Sequence, residues 1–166
     1  MRFAPAAAAL SLCLAMTASI TIAGDVRAPD PRAAALIAQG QAALVAGETE
    51  AAVDAFEAAL AVDPGYTPIF IDLAEAARQQ GLQGKAIRYY RDALERDPGN
   101  FAAISGEGAA LVEKGALERA KRNLAKLQTM CGDACPETVA LQSSIARGPS
   151  PRLAIESSTD TAPASN

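Results

Sequence analysis

Apolar positions along this chain recur with helical spacing, and the spacing itself recurs. Ala52, Val53, Phe56, Ala59 and Leu60 fall on one face of a helix, with polar residues filling the other. Ala86, Ile87, Tyr90, Ala93 and Leu94 repeat that face 34 residues later, so that AVDAFEAALAVDP at 52–64 is answered by AIRYYRDALERDP at 86–98. A helical pair repeated at such a period cannot bury its own apolar stripe and must stack on its neighbours. The pattern predicts three helix–turn–helix units, with helices over 32–46 and 49–62, 67–80 and 83–96, and 101–114 and 117–130. Gly47, Gly81 and Gly115 separate the two helices of each unit, at positions where a left-handed residue suits a helix end. Asp63-Pro64-Gly65 and Asp97-Pro98-Gly99 stop the second helices of the first two units. Small Ala52, Ala86 and Ala120 allow close approach of helices, and Phe56, Tyr90 and Leu124 are expected to fill the space between layers. Residues 133–147 follow as a capping segment with a helix over 137–147, where Val139, Leu141 and Ile145 would cover the open end of the stack.

The ends of the chain read differently. Met1-Arg2 is a short basic start, Phe3 to Ile22 is apolar and alanine-rich, and Thr21-Ile22-Ala23 offers the small residues a signal peptidase reads. Residues 1–23 are therefore expected to be a signal peptide cleaved after Ala23, with Ala28 as a second cleavage candidate, and the protein to be exported to a periplasmic compartment. An uncleaved anchor is the alternative, since about 20 apolar residues span a bilayer. Membrane contact is expected only in that case. Leu12 ahead of Cys13 is too bulky for the usual lipidation site. Residues 24–31 form a proline-containing linker. Residues 148–166, rich in Pro, Ser, Thr and Ala, are expected to form a disordered tail.

Composition narrows the function. The 166 residues carry 15 basic against 19 acidic side chains, a net charge of −4, without the basic footprint of a nucleic-acid binder. There is no His, which removes the commonest metal ligand and general base. No phosphate-binding glycine loop, nucleophile elbow or helical zinc motif is present in the sequence. No enzymatic activity, cofactor, metal or small-molecule substrate is expected. Arg88, Arg91, Arg96, Arg119, Lys121 and Arg122 are interleaved with Asp92, Glu95, Asp97 and Glu118, which reads as a solvated, salt-bridged face, Glu118 and Arg122 being one turn apart.

Two cysteines remain after the leader, Cys131 and Cys135, spaced C-x3-C and not C-x2-C. In an oxidising compartment they are candidates for a disulfide that clips the capping helix to the last repeat. Redox-active thiols and a half-filled metal site are the alternatives.

Read as columns, the three units resemble the tetratricopeptide repeat, a family of 34-residue antiparallel helix pairs. Leu36, Phe70 and Ile104 open the first helices, and Gly40, Ala74 and Gly108 supply the small residue that follows. Gly47, Gly81 and Gly115 form the next column, then Ala52, Ala86 and Ala120, then Pro64 and Pro98. The usual Leu before the small residue is replaced by Gln39 and Glu107, and the third unit ends in Cys131-Gly132 where Asp-Pro stood before. The resemblance implies an all-α, right-handed α-solenoid of three helix pairs (33–66, 67–100 and 101–132) plus a C-terminal capping helix. It also implies a groove lined by the first helices, at Ile37, Gln41, Leu44 and Val45, then Ile71, Glu75, Arg78 and Gln79, then Ser105, Ala109, Val112 and Glu113. Family members that clamp a chaperone's carboxylate tail use Lys, Asn and Arg at places held here by Ile37, Gln41, Ile71 and Glu75. The expected function is a non-catalytic adaptor of the cell envelope that binds a protein or peptide. The alternative is a structural subunit of an envelope or secretion assembly with a permanent interface.

Overall fold

The computed structural model describes residues 27–149. The expected leader and most of the tail lie outside the described residues. Within them are seven helices: α1 (Pro31–Ala46), α2 (Thr49–Val62), α3 (Pro68–Gln79), α4 (Gln83–Arg96), α5 (Phe101–Glu113), α6 (Leu117–Cys131) and α7 (Pro136–Arg147). Local chemistry sets their bounds. Asp30 caps α1 by accepting from the Arg32 backbone at 2.8 Å, and Asn100 caps α5 by accepting from Ala103 at 3.0 Å. Pro31, Pro68 and Pro136 stand in the first turns of α1, α3 and α7, where a missing N–H costs nothing. Gly47, Gly81 and Gly115 have φ of 78°, 77° and 80° at the turns inside each pair, a region that other residues rarely enter.

The linker expected over 24–31 is shorter than its composition suggests. Pro31 already belongs to α1. Asp63, buried at the end of α2, accepts from the Arg27 guanidinium and, at 3.0 Å, from the Asp30 backbone. That pairing, Arg27's donation first, holds the Asp63 carboxyl below its ordinary range.

The pairs stack as a solenoid. Ala52, Ala86 and Ala120 are fully buried in the packing between helices. Phe56 is buried against α1 within the first unit, where Gly40 makes room for it, since a Cβ there would sit 2.5 Å from the Phe56 ring, and Tyr90 is buried against α5 of the next unit. The third unit differs. Leu124 is only half-buried, and the layer is filled by Ile104, Leu127 and Leu141. Leu141 comes from α7, which packs on α5 and α6. Gly108 admits it, since a Cβ at Gly108 would lie 2.6 Å from Leu141. Glu107, an odd residue at an apolar column, is buried but satisfied, accepting from Arg91 Nε at 2.8 Å and Asn123 Nδ2 at 3.0 Å.

The first helices touch in sequence, α1 to α3, α3 to α5 and α5 to α7, whereas the second helices make no comparable contact with one another among the described residues. The stack is therefore tighter on the side of the first helices, and that side forms its inner face. The Cys131 and Cys135 sulfurs lie against each other at the α6–α7 corner, with Cα atoms 5.7 Å apart. Among the described residues no helix is long and apolar enough to cross a membrane.

Candidate functional site on the inner face

A pocket of about 470 Å³ opens on the inner face where α3, α5 and α7 meet. Helix α3 contributes Ile71, Asp72, Glu75 and Arg78, one surface of consecutive turns. Helix α5 contributes Ala102, Ser105 and Gly106 opposite, and α7 closes the end with Pro136, Glu137 and Ala140. Tyr90 reaches in from α4. It can do so because position 106 is glycine: any Cβ there would overlap the Tyr90 ring.

The polar part of the pocket is a chain of charges. Arg78 donates from Nε to Glu113 Oε2 at 3.2 Å and from Nη2 to Glu113 Oε1, a bidentate pair that ties α3 to α5. Its Nη1 donates to Glu75 Oε2 at 2.9 Å, and the Tyr90 hydroxyl donates to that same oxygen at 3.2 Å. Burial works against the Arg78 charge, but Glu113 and Glu75 more than offset it, so its pKa lies above the ordinary value. Burial, helped by Glu75, pushes the Tyr90 phenol up as well, and it stays a neutral donor. Asp72 is the least compensated group. It accepts from Gln41 Nε2 at 3.4 Å, and burial pushes its pKa up to about 6 against the smaller pull of that bond. The network fixes side chains and places the carboxylate residues Asp72 and Glu75 in the lining. It is suited to holding a ligand and contains no activated nucleophile.

Of the residues expected to line a groove, Ile71, Glu75, Arg78 and Ser105 meet at this pocket. Ser105 also donates to the Glu137 carbonyl at 3.0 Å, which anchors α7. Glu113 stands behind Arg78, and Gln41 reaches Asp72 from α1. Ile37, Ala109 and Val112 are buried in helix packing, and Leu44 is half-buried against the α1–α2 core. Val45, 91% exposed, and Gln79 lie outside the pocket. Sequence reasoning missed Asp72, Tyr90, Ala102, Gly106 and the α7 wall. Asp72 stands three residues before Glu75, and Ala102 three before Ser105, so helical periodicity carried a signal for both.

On the flanking helices, the expected Glu118–Arg122 pair gives way to Lys121, whose Nζ lies 2.8 Å from Glu118 Oε1. Arg91 pairs across to Glu107 and Arg96 donates to the Pro64 carbonyl at 2.8 Å, so the basic cluster braces neighbouring helices as well as facing water.

The tetratricopeptide repeat model matches residues 22–67, 37–101 and 71–121. The chain belongs to the tetratricopeptide repeat family. Among solved structures, this repeat protein is similar to the Sgt2 tetratricopeptide domain of Aspergillus fumigatus, at 24% identity over 84% of this chain and 90% of that one, with a TM-score of 0.64. It is similar to the first such domain of RPAP3 (Spaghetti) bound to the HSP90 peptide SRMEEVD, at 20% identity over 70% and 91%, TM-score 0.62. The type III secretion translocator chaperone SycD of Yersinia enterocolitica matches at 20% identity over 69% and 88%, also with a TM-score of 0.62. Identities this low establish the shared fold. Comparison with curated protein sequences finds no match.

Proposed function

We propose that this tetratricopeptide protein is a non-catalytic adaptor of the cell envelope that holds a protein or peptide segment against its inner face. The observation that carries the reading is the pocket of about 470 Å³ built by three successive inner helices and braced by the Arg78–Glu113 pair. Rigid walls with a mixed lining lower the ordering cost of binding. Solved relatives support the choice of ligand class: RPAP3 was captured with an HSP90 peptide, PcrH with the chaperone binding region of PopB, and SycD with a peptide of the translocator YopD. Residues at the carboxylate-clamp places here are apolar, neutral or acidic (Ile37, Gln41, Ile71 and Glu75), which argues against a carboxylate-tail clamp. Export rests on the leader-like residues 1–23. A Cys131–Cys135 disulfide, for which the 5.7 Å Cα separation is suitable, fits an oxidising compartment and clips α7 in place.

Ala102 is exposed and lines the pocket, so Ala102→Phe fills the pocket without entering the core. In-cell crosslinking with mass spectrometry should yield a discrete partner set for the wild type that Ala102→Phe loses while its helicity and melting are unchanged. Partners retained by the variant would move the interface off the inner face and favour a permanent structural subunit.

A further inference from the structure

The chemistry of the pocket selects among possible occupants. Its apolar lining is formed by Ile71, Ala102 and Ala140, while Asp72 and Glu75 bring two carboxylates to it; the Glu137 carboxylate lies 3.0 Å from Cys135 Sγ at the α6–α7 corner. The one guanidinium in the lining is spent: Nε and Nη2 of Arg78 are on Glu113, and Nη1 is on Glu75. Among the described residues Asp72 has only the neutral Gln41 amide, at 3.4 Å. An apolar segment laid over this surface would take water from Asp72 and return no charge, which is costly. An acidic segment would add like charge to like. A cation replaces the water with a charge-assisted hydrogen bond. Lysine and arginine also carry an apolar stem with a charged head, which suits a lining that holds both kinds of surface.

We propose that the pocket seats an arginine or lysine side chain projecting from an extended segment of a partner protein, its cation on Asp72 and Glu75 and its stem against Ile71 and Ala102. This rests on the reading of the inner face as a binding surface. It also separates this chain from relatives that hold acidic peptides, because the charge preference is reversed.

The test is selection of random displayed peptides on the full chain at about 50 mM salt, where screening is weak. Enriched peptides should share a position held by Arg or Lys. Replacing that residue by norleucine in a synthetic peptide should lower affinity about tenfold, the loss expected for a charge-assisted hydrogen bond. Asp72→Asn in the protein should cause a similar loss, and combining the two changes should cost little more than either alone. The norleucine change touches only the peptide, so its result is independent of how the variant protein folds. Enriched peptides that lack a basic position but are blocked by Ala102→Phe would overturn the cation preference and leave inner-face binding standing. Enriched peptides indifferent to both Ala102→Phe and Asp72→Asn, or no enrichment over a bare support, would overturn both.

Discussion

Replacing Asp72 by Asn should stabilise the free protein at neutral pH. The carboxyl is pushed from an ordinary 3.8 up to about 6 because burial between α3 and its neighbours disfavours the charge, and the Gln41 amide at 3.4 Å opposes this only partly. A carboxyl with a raised folded pKa binds its proton more tightly in the native state than in the unfolded one. Its favourable contribution is therefore fully present below about 3.8 and is lost as pH rises through about 6. Two pKa units correspond to a ceiling of about 3 kcal/mol. Part of the side chain remains in water, and screening reduces this to about 1–2 kcal/mol. Asparagine keeps the shape and the Gln41 contact without the charge. Urea unfolding followed by far-UV circular dichroism should show Asp72→Asn more stable than wild type by about 1–2 kcal/mol near pH 7.5, with the two curves converging near pH 4. A variant no more stable than wild type at the higher pH, or a gap that does not close on acidification, would refute the burial argument.

Gly108→Ala forces a Cβ against Leu141 and should cost about 1–2 kcal/mol after its gain in helix propensity, with amides of α7 losing hydrogen-exchange protection ahead of those of α3; unchanged α7 protection would contradict the packing. Arg78→Met leaves Glu113 and Glu75 without their cation and should cost about 2 kcal/mol, part of which Glu113→Gln restores in the same background; strictly additive losses would mean the pair is not coupled. If Cys131 and Cys135 pair, protein recovered from an oxidising compartment should show no free thiol at either position, and Cys131→Ser should lose about 2 kcal/mol, the loop-closure value for so short a ring. Two titratable thiols would remove the clip.

The architecture was legible because punctuation and period agreed. Gly47, Gly81 and Gly115 mark the turns, prolines mark helix starts and stops, and the predicted helix bounds fall within about a residue of the observed ones for most elements. The site was only half legible. Ile71, Glu75, Arg78 and Ser105 followed from the column that faces inward. The partner of Arg78, however, lies 35 positions along at Glu113, and the partners of Glu107 lie on two other helices. Such cross-repeat pairings depend on how one layer sits on the next, which no single column records. For the same reason Glu107 looked like a defect in an apolar position until Arg91 and Asn123 were seen to enclose it. Helix α7 was expected as a cover, and the periodicity of its own residues gave no reason to see Pro136, Glu137 and Ala140 as a wall.

That wall has a consequence for how such a chain can grow. Repeat arrays commonly lengthen by duplicating a unit, and each copy extends the surface by one step. Here the final slot is taken by a helix whose Leu141 fills the cavity over Gly108 and whose first turn bounds the pocket. A unit duplicated after α6 would push α7 one layer outward and carry Pro136 and Glu137 away from Asp72 and Glu75. The array would be longer, but the recess would have lost its end. A duplication at the α1–α2 end would leave it intact, so lengthening of this chain without loss of the recess is confined to one direction.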